Sequence, residues 1–258
     1  MKRNFVQMFD EKTTENFKLT TNFKYGVSML KNVKEKKLII NANRELLPLV
    51  NVQNLLINLL KKELKTLFEL QKAKKILVVG IGNGEIQTDS LGPLTTKKIV
   101  VSRGLNLTPE VSVFLPDVFS NTGIETAEIV KSICEIVKPN VVVLIDSFST
   151  NSVSRICSSF QVFEGGISAG SGVDAKNKQI SKEFLNVKKV VSIGVPLLIC
   201  GEKLFQKQTE SEKVDSSFVL SPINIKKEVE TISKIIALAI NKALFNSLSK
   251  AEIESLIQ

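Results

Sequence analysis

Two aspartates follow apolar runs of the sequence, in loops that could hold a catalytic pair of acids. Asp89 lies in "GNGEIQTDSLGP" (82–93), behind the run "KILVVGI", and Asp146 closes the run "PNVVVLIDS" (139–147). Two carboxyl groups at one site can share a proton, so that one donates it while the other activates a water molecule. Each aspartate could equally cap a helix or fasten a turn, which is the more common role after a strand.

The glycines of the first loop suggest a second chemistry, the binding of a phosphate or nucleotide. Gly80 and Gly82 could open a G-x-G-x-x-G signature, but the position of the third glycine holds Glu85. The stretch "KKIVVSRG" near position 100 also lacks the carboxylate that such folds use to bind a ribose. Phosphate or nucleotide binding stays open as the less favoured alternative.

The complete absence of histidine excludes several classes of enzyme. Ser-His-Asp and Cys-His hydrolases, histidine-ligated zinc sites and H-E-x-x-H proteases all require an imidazole. A hydrolase of this composition must use carboxylates, lysine, hydroxyl groups or backbone amides. We therefore expect no cofactor and no metal, although carboxylates and water alone could still hold a hard cation.

The cysteines and the first residues indicate a cytoplasmic protein. Cys134, Cys157 and Cys200 are too far apart for a C-x-x-C motif and lie among apolar neighbours, so buried and inert thiols are expected. No apolar run approaches the ~18 residues of a membrane span. The opening "MKRNFVQMFDEK" meets two acidic residues before any stretch that resembles a signal peptide.

Positive charge is concentrated in the first third of the chain. Residues 1–75 contain 16 Lys and Arg against 7 Asp and Glu, whereas residues 76–258 contain 19 of each kind. Such a segment could attract nucleic acid or an acidic protein, but a lysine-rich soluble surface explains the same composition. We divide the chain into a basic N-terminal segment, 1–75, and an α/β domain, 76–258.

The basic segment is predicted to hold one amphipathic helix. Apolar residues recur at helical spacing, with lysines between them, from Val52 to about Leu70. The first 50 residues lack this pattern, and they could hold a short strand or two, for instance around "KKLIINA", or be partly irregular.

Strands and helices alternate in the rest of the chain. Short apolar runs predict strands at 75–81, 111–115, 139–147, 156–163 and 187–196. Helices are predicted from about Leu94 with Pro93 in the first position, over 121–137 with Thr122 and Glu125 as a capping box, and from Ser221-Pro222 onward. This alternation predicts a three-layer α/β/α fold with a mainly parallel sheet.

Such a fold would bring the two aspartates to one edge of the sheet. In open α/β sheets the ligand crevice lies beyond the carboxyl ends of the strands. Asp146 directly follows one predicted strand, and Asp89 lies in the loop after another. The sequence therefore predicts a candidate acidic site at this edge.

An ordered set of motifs resembles the spore germination protease family. The motifs are "GNGEIQTDSLGP", "NTGIETAEIV", "VLIDSFSTNSVSRI", "GGISAGSGV" and "ISKEFLNVKKVVSIGVP", and the closing "SPINIKKEVETISKIIALAINKAL" is similar to the final helix of that family. Together they cover roughly residues 76 to 247. Each motif alone is weak, whereas their order and separations are specific.

The resemblance implies an endopeptidase that cuts small acid-soluble spore proteins during germination. Members of the family are zymogens, assemble as homotetramers, and have a fold related to that of hydrogenase maturation proteases. The expected location is the cytoplasm of the forespore or the spore core. Indirect proximity to DNA, through the spore proteins that coat it, is also implied. A catalytically silent relative that binds spore proteins is the second interpretation.

The resemblance also implies roles for particular residues. Asp89 and Asp146 match the proposed catalytic aspartates of the family. The other candidates are expected to bind substrate or support the site: Glu125, Arg155, Gly170, Ser171 and Gly172. The glycine-rich loop could present backbone N–H groups to an oxyanion or simply form a tight connection. Glu125 could equally cap a helix, and Arg155 could equally form a structural ion pair.

Overall fold

The structure is a computed structural model that describes residues 18–68, 73–105, 107–168, 179–200 and 218–257. Its strands are β1 (Lys18–Asn22), β2 (Ser28–Asn32), β3 (Lys37–Asn41), β4 (Lys75–Gly80), β5 (Glu110–Phe114), β6 (Val141–Thr150), β7 (Ser159–Glu164), β8 (Ile167–Ser168), β9 (Gln179–Ile180), β10 (Lys189–Cys200) and β11 (Val219–Leu220). Its α-helices are α1 (Val50–Phe68), α2 (Leu91–Thr96), α3 (Phe119–Thr122), α4 (Thr126–Val137), α5 (Lys182–Leu185), α6 (Ile225–Leu244) and α7 (Lys250–Leu256).

Four parallel strands form one end of the main sheet, in the order β5-β4-β6-β10 with β5 at the edge. Helices α2 and α4 lie in the crossovers from β4 to β5 and from β5 to β6, as parallel pairing requires. Beyond β10 the sheet continues antiparallel through β7, β3, β2 and β1, and β11 pairs with the end of β10. The predicted α/β class is confirmed.

Helices cover both faces of the sheet and give three layers. The core on one face joins α1, α2 and α6 to strand residues such as Val78 and Val143. The core on the other face joins α4 and α5 to residues such as Leu77 and Leu144. All ten residues of β6 are buried, because this strand is covered on both sides. That double burial explains the apolar run at residues 141–145 of this strand.

The basic N-terminal segment shares the sheet and the core with the rest of the chain. β3 pairs with β7 from Lys37↔Phe163 to Asn41↔Ser159. Buried residues of β3 and α1, among them Leu38 and Leu56, belong to the same core cluster as Val143 of β6. The parallel strands all begin at or after residue 75, the strands before it are antiparallel, and one sheet runs through both parts.

The helix after the first glycine loop begins earlier than the sequence predicts. α2 starts at Leu91, three residues before the predicted start, and Pro93 is its third residue instead of its first. The first helical hydrogen bond is donated by Leu94 N to Ser90 O, at 2.9 Å. Proline is tolerated at this place because the first turn of a helix needs no N–H donor.

The helix predicted over 121–137 is broken in two, and its predicted capping box is wrong. α3 ends at Gly123, which has the left-handed φ of 69°, and α4 begins only at Thr126. The Thr122 hydroxyl donates to Val118 O at 3.2 Å or Ile124 O at 3.1 Å and accepts from Ile124 N at 3.2 Å, and it makes no bond to Glu125 N of the kind that the capping box requires. Glu125 precedes α4 without a side-chain capping bond.

The two long helices, α1 and α6, pack against each other on one face of the sheet. Each buries an apolar face, with Leu60 and Ile236 as examples, and exposes lysines such as Lys62 and Lys227 on the other. α6 begins at Ile225, three residues after Pro222, which lies in the turn that precedes it. No helix in the described part of the chain combines the length and apolarity needed to cross a membrane.

Candidate active site

Asp89 lies on a tightly folded loop at the carboxyl edge of the sheet. It ends a short 3-10 turn, Gln87–Asp89, directly before α2. Its carboxylate accepts a hydrogen bond from Asn83 N at 2.8 Å, and its own backbone N–H donates to Ile86 O at 2.8 Å. The loop thus folds back on itself and holds the Asp89 carboxylate against its beginning.

Gly82 makes this fold of the loop possible. Its φ of +116° is one that residues with a side chain rarely adopt, and a Cβ at this position would lie 2.1 Å from Asp89 O. The glycine is therefore needed for the close approach of the two ends of the loop. The G-x-G pattern has a structural function here that does not involve a phosphate.

A second close contact fixes α2, and with it Asp89, to the sheet. The backbone of Gly92 packs so closely on β4 and β6 that a Cβ would lie 2.2 Å from Ile81 O and 2.6 Å from Ile145 O. Ile81 N also donates to Ile145 O at 2.8 Å. These contacts connect the loop of the first aspartate to the strand of the second.

Asp146 lies inside β6 rather than after it, since the strand continues to Thr150. Side chains alternate along a strand, so Asp146 faces the same side as Leu144 and Phe148. Its partner in β10 is Gly194. The Phe148 ring occupies the space that a Cβ of Gly194 would need, at 2.4 Å from that position. Asp146 therefore shares its face of the strand with apolar side chains, and the residue is only 5% exposed.

The two aspartates interact electrostatically. Burial raises the pKa of Asp146 well above its usual value, and the negative charge of Asp89 raises the pKa further. The Ser147 N–H donates to the Asp146 carboxylate at 2.7 Å, and this hydrogen bond partly offsets the rise of the pKa. The carboxyl group of Asp146 therefore favours its protonated form beside the carboxylate of Asp89.

Ser147 is hydrogen-bonded both to Asp146 and to the first residue of the helix that follows Asp89. Its backbone N–H binds Asp146, and its Oγ accepts a long hydrogen bond from Leu91 N, at 3.4 Å. Leu91 is the first residue of α2, two residues after Asp89. No sequence pattern indicates this role, because a serine after an aspartate is common in loops and its tertiary partner is distant in the chain.

The other predicted site residues are only partly placed by the structure. Glu125 is half-buried in the loop before α4, and Arg155 is half-buried in a 3-10 turn, Val153–Arg155, that follows β6. Both turns lie beyond the carboxyl ends of parallel strands, on the edge that carries the aspartates. Gly170, Ser171 and Gly172 lie outside the described residues.

The cysteines are unsuited to nucleophilic catalysis where the structure describes them. Cys134 and Cys157 are buried and unpaired in disulfides. Burial raises the pKa of the Cys134 thiol to about 11. Burial, and to a smaller extent the negative charge of Glu228, also raises the pKa of the Cys157 thiol. Thiols with raised pKa values are poor nucleophiles at neutral pH. Among the described residues, no cluster of three or more acids or cysteines could hold a metal ion.

The arrangement has the components of acid–base hydrolysis. One carboxyl group is buried and favours its proton, and the second is half-exposed and accepts a backbone hydrogen bond. Two such groups can donate a proton and accept a proton in the same reaction. The chemistry that the geometry supports is therefore the activation of a water molecule for attack on a polar bond.

Comparison of sequences finds similar proteins. A family model described as "Germination protease" matches residues 35–208. The germination protease of Caldanaerobacter subterraneus subsp. tengcongensis is 33% identical over 235 residues, which cover 74% of this chain and 72% of the relative. That of a Geobacillus species is 40% identical over 140 residues, covering 51% of this chain and 37% of the relative. The matched part of the chain thus spans little more than a third of the Geobacillus protein.

A comparison of structures finds a remote similarity. The crystal structure of a NiFe hydrogenase maturation protease, HycI from Thermococcus kodakarensis, aligns with a TM-score of 0.39 and 19% sequence identity. The alignment covers 69% of this chain and 97% of the other.

Proposed function

The chain belongs to the germination protease family, and on this premise we propose that it is an endopeptidase that hydrolyses small acid-soluble spore proteins. The observation that carries the proposal is the placement of Asp89 and Asp146 together at the carboxyl edge of the parallel strands, where the charge of Asp89 raises the pKa of the buried Asp146. The family name supplies the class of reaction, and the pair supplies groups able to perform it without histidine.

The two aspartates have different roles in the proposed reaction. Asp89 is the general base, and it accepts a proton from water as the water oxygen bonds to the carbonyl carbon of the substrate. Asp146 is the general acid, because burial keeps it protonated, and it donates its proton to the departing nitrogen as the C–N bond breaks. A proton transferred from Asp89 back to Asp146 restores the starting state.

The contacts of the first loop support this function over nucleotide binding. A phosphate cradle needs backbone N–H groups that point at the ligand. In this loop Asn83 N already donates to the carboxylate of Asp89, and a negative side chain there would repel a phosphate. An acid site is therefore the better interpretation of the loop.

The remaining parts of the proposal follow from the resemblance. They are synthesis as a zymogen, assembly as a homotetramer, and action in the forespore or spore core, in indirect proximity to DNA. Glu125, Arg155 and the loop that contains Gly170, Ser171 and Gly172 are proposed to bind the substrate or support the pair. No cofactor or metal is part of the proposed reaction.

Incubation with a purified small acid-soluble spore protein tests the proposal. Mass spectrometry is expected to find complementary fragments whose summed mass exceeds the parent by one water molecule, and treatment with a chelator is expected to leave the rate unchanged. Substrate that stays intact while binding to the chain would support the silent-relative interpretation instead. Activity that disappears on chelation and returns with one added divalent ion would contradict the metal-free mechanism.

A further inference from the structure

Asn83 is held firmly at the start of the Asp89 loop and is only 8% exposed. Its backbone N–H donates to the Asp89 carboxylate at 2.8 Å, and its backbone carbonyl accepts from Ile86 N at 3.2 Å. Its side-chain Oδ1 accepts from Glu85 N at 2.8 Å. Three separate hydrogen bonds therefore fix the position of this residue relative to Asp89.

The side-chain amide nitrogen, Nδ2, is the one polar group of Asn83 that takes no part in these three hydrogen bonds. An asparagine offers one backbone donor, one backbone acceptor, a side-chain oxygen and a side-chain NH₂ group. Nδ2 has no hydrogen-bond partner within the described ranges of the chain. The residue as a whole is buried, but Nδ2 is not one of the buried side-chain atoms that lack a partner among the described residues. This donor therefore keeps contact with solvent and is open to a ligand.

The orientation of the amide is determined by its neighbour. If the oxygen and nitrogen were exchanged, the NH₂ group would face the Glu85 N–H, and two donors would meet. The oxygen is therefore turned toward the loop and the nitrogen away from that contact. Because the same residue binds Asp89 through its backbone, the unpaired donor belongs to the immediate surroundings of the acid pair.

We propose that Asn83 is a catalytic residue, whose Nδ2–H donates a hydrogen bond to the carbonyl oxygen of the scissile peptide bond. This inference rests on the proposed peptidase function. When water attacks the carbonyl carbon, the π electrons of the C=O bond move to the oxygen, which becomes negative. A fixed N–H donor stabilises this charge without any reorganisation at the moment of reaction.

The charge of the acid pair makes such a donor necessary. Asp89 is ionised when it acts as a base, so the oxyanion forms close to a negative group, and the two charges repel each other. The hydrogen bond from a neutral amide offsets this repulsion and leaves the protonation of the pair undisturbed. A lysine or arginine at the same place would instead bind the Asp89 carboxylate and weaken it as a base.

Two substitutions of Asn83 test the proposal. Asn83→Asp keeps the oxygen that accepts from Glu85 N and replaces the NH₂ group with a second oxygen. Asn83→Ser keeps a neutral oxygen acceptor and removes the amide NH₂ group. Both are expected to lower kcat for spore-protein cleavage by about 100-fold to 1000-fold, the loss typical of one oxyanion donor, with KM little changed. Asn83→Ser is expected to keep the parental pH dependence of kcat.

Asn32 provides a matched control. It is a buried asparagine, 4% exposed, whose Oδ1 also accepts a backbone bond, from Glu35 N at 3.0 Å. It ends β2, which lies four strands from β6 in the sheet. Asn32→Asp and Asn32→Ser are expected to cleave at the parental kcat, even where they lower the melting temperature.

The outcomes separate this inference from the proposed function. A folded Asn83→Ser or Asn83→Asp protein with parental kcat would overturn the role of Asn83, while loss of activity in Asp89→Asn would leave the peptidase function standing. A loss of kcat that comes with a shifted pH profile in Asn83→Ser, or with an equal loss in Asn32→Ser, would show a structural role and would also overturn the inference. Absence of cleavage by the parent protein would contradict the proposed function itself.

Discussion

Replacement of Asp89 or Asp146 by asparagine is expected to reduce the rate of peptide cleavage by at least about a hundredfold, because each variant loses acid–base assistance. Asparagine has the size of aspartate and can still accept the hydrogen bonds from Asn83 N and Ser147 N. The double variant is expected to be little slower than either single variant, since members of one catalytic unit are not additive. Rates measured at saturating substrate for the three variants check this result.

Asp117→Asn is the control variant, because it removes a different carboxylate from the carboxyl edge of the parallel strands. The Oδ1 atom of Asp117 accepts from Val118 N at 2.8 Å and from Asn121 Nδ2 at 3.0 Å, in the loop after β5. Asp117→Asn is expected to keep the parental rate. A folded Asp89→Asn or Asp146→Asn protein that cleaves as fast as Asp117→Asn would remove that aspartate from the mechanism.

Gly92→Ala is expected to give a large loss of stability. The new Cβ would lie 2.2 Å from Ile81 O and 2.6 Å from Ile145 O, and these backbone atoms can move only if α2 separates from β4 and β6. Overpacking of this kind costs typically about 1–3 kcal/mol and occasionally more, and we expect a value at or above the upper end. The free energy of unfolding from urea titration measures the effect.

Gly84→Ala is the matched control in the same loop. A Cβ at Gly84 would meet Pro93 Cβ at 3.5 Å, an ordinary van der Waals contact. The free energy of unfolding of this variant is expected to lie within about 0.5 kcal/mol of the parental value, as is usual for substitutions without a specific clash. Equal stability of Gly92→Ala and Gly84→Ala would show that α2 does not depend on the close approach.

The sequence predicts the parallel strands better than the elements that surround the site. β4, β6 and β10 are buried on both faces, so each contains a run of apolar residues that is visible without a structure. β5, at the edge of the sheet, is mostly half-buried and is a shorter apolar stretch. These four strands lie within four residues of their predicted bounds. The edge on which both aspartates lie follows from the same alternation of strands and helices.

The details of the site could not be predicted, because they depend on contacts between distant residues. The early start of α2 follows from the packing of Gly92 on Ile81 and Ile145, which no local pattern shows. The burial of Asp146 depends on how far β6 continues and on the position of the Phe148 ring above Gly194. The capping box at Thr122 fails because Gly123 adopts a left-handed conformation and ends the helix first.

The sequence predicted only a short strand or two before α1, around "KKLIINA", whereas the structure has three antiparallel strands there. β2 and β3 are short, and β2 is only half-buried, so neither gives a long apolar run. Their place in the sheet is determined by the pairing of β3 with β7, more than a hundred residues later in the chain. The short motif "KKLIINA" indicated one strand, and the partner of that strand could not be inferred.

Titration of the Asp146 carboxyl group by carbon-13 NMR tests most directly whether the two aspartates form one coupled site. We expect Asp146 to titrate well above the ordinary value of about 3.9, because burial and the charge of Asp89 both raise its pKa. In Asp89→Asn the pKa of Asp146 is expected to fall, although burial still keeps it above the ordinary value. An ordinary titration of Asp146 in the parent protein, or a titration that Asp89→Asn leaves unchanged, would contradict the coupled pair.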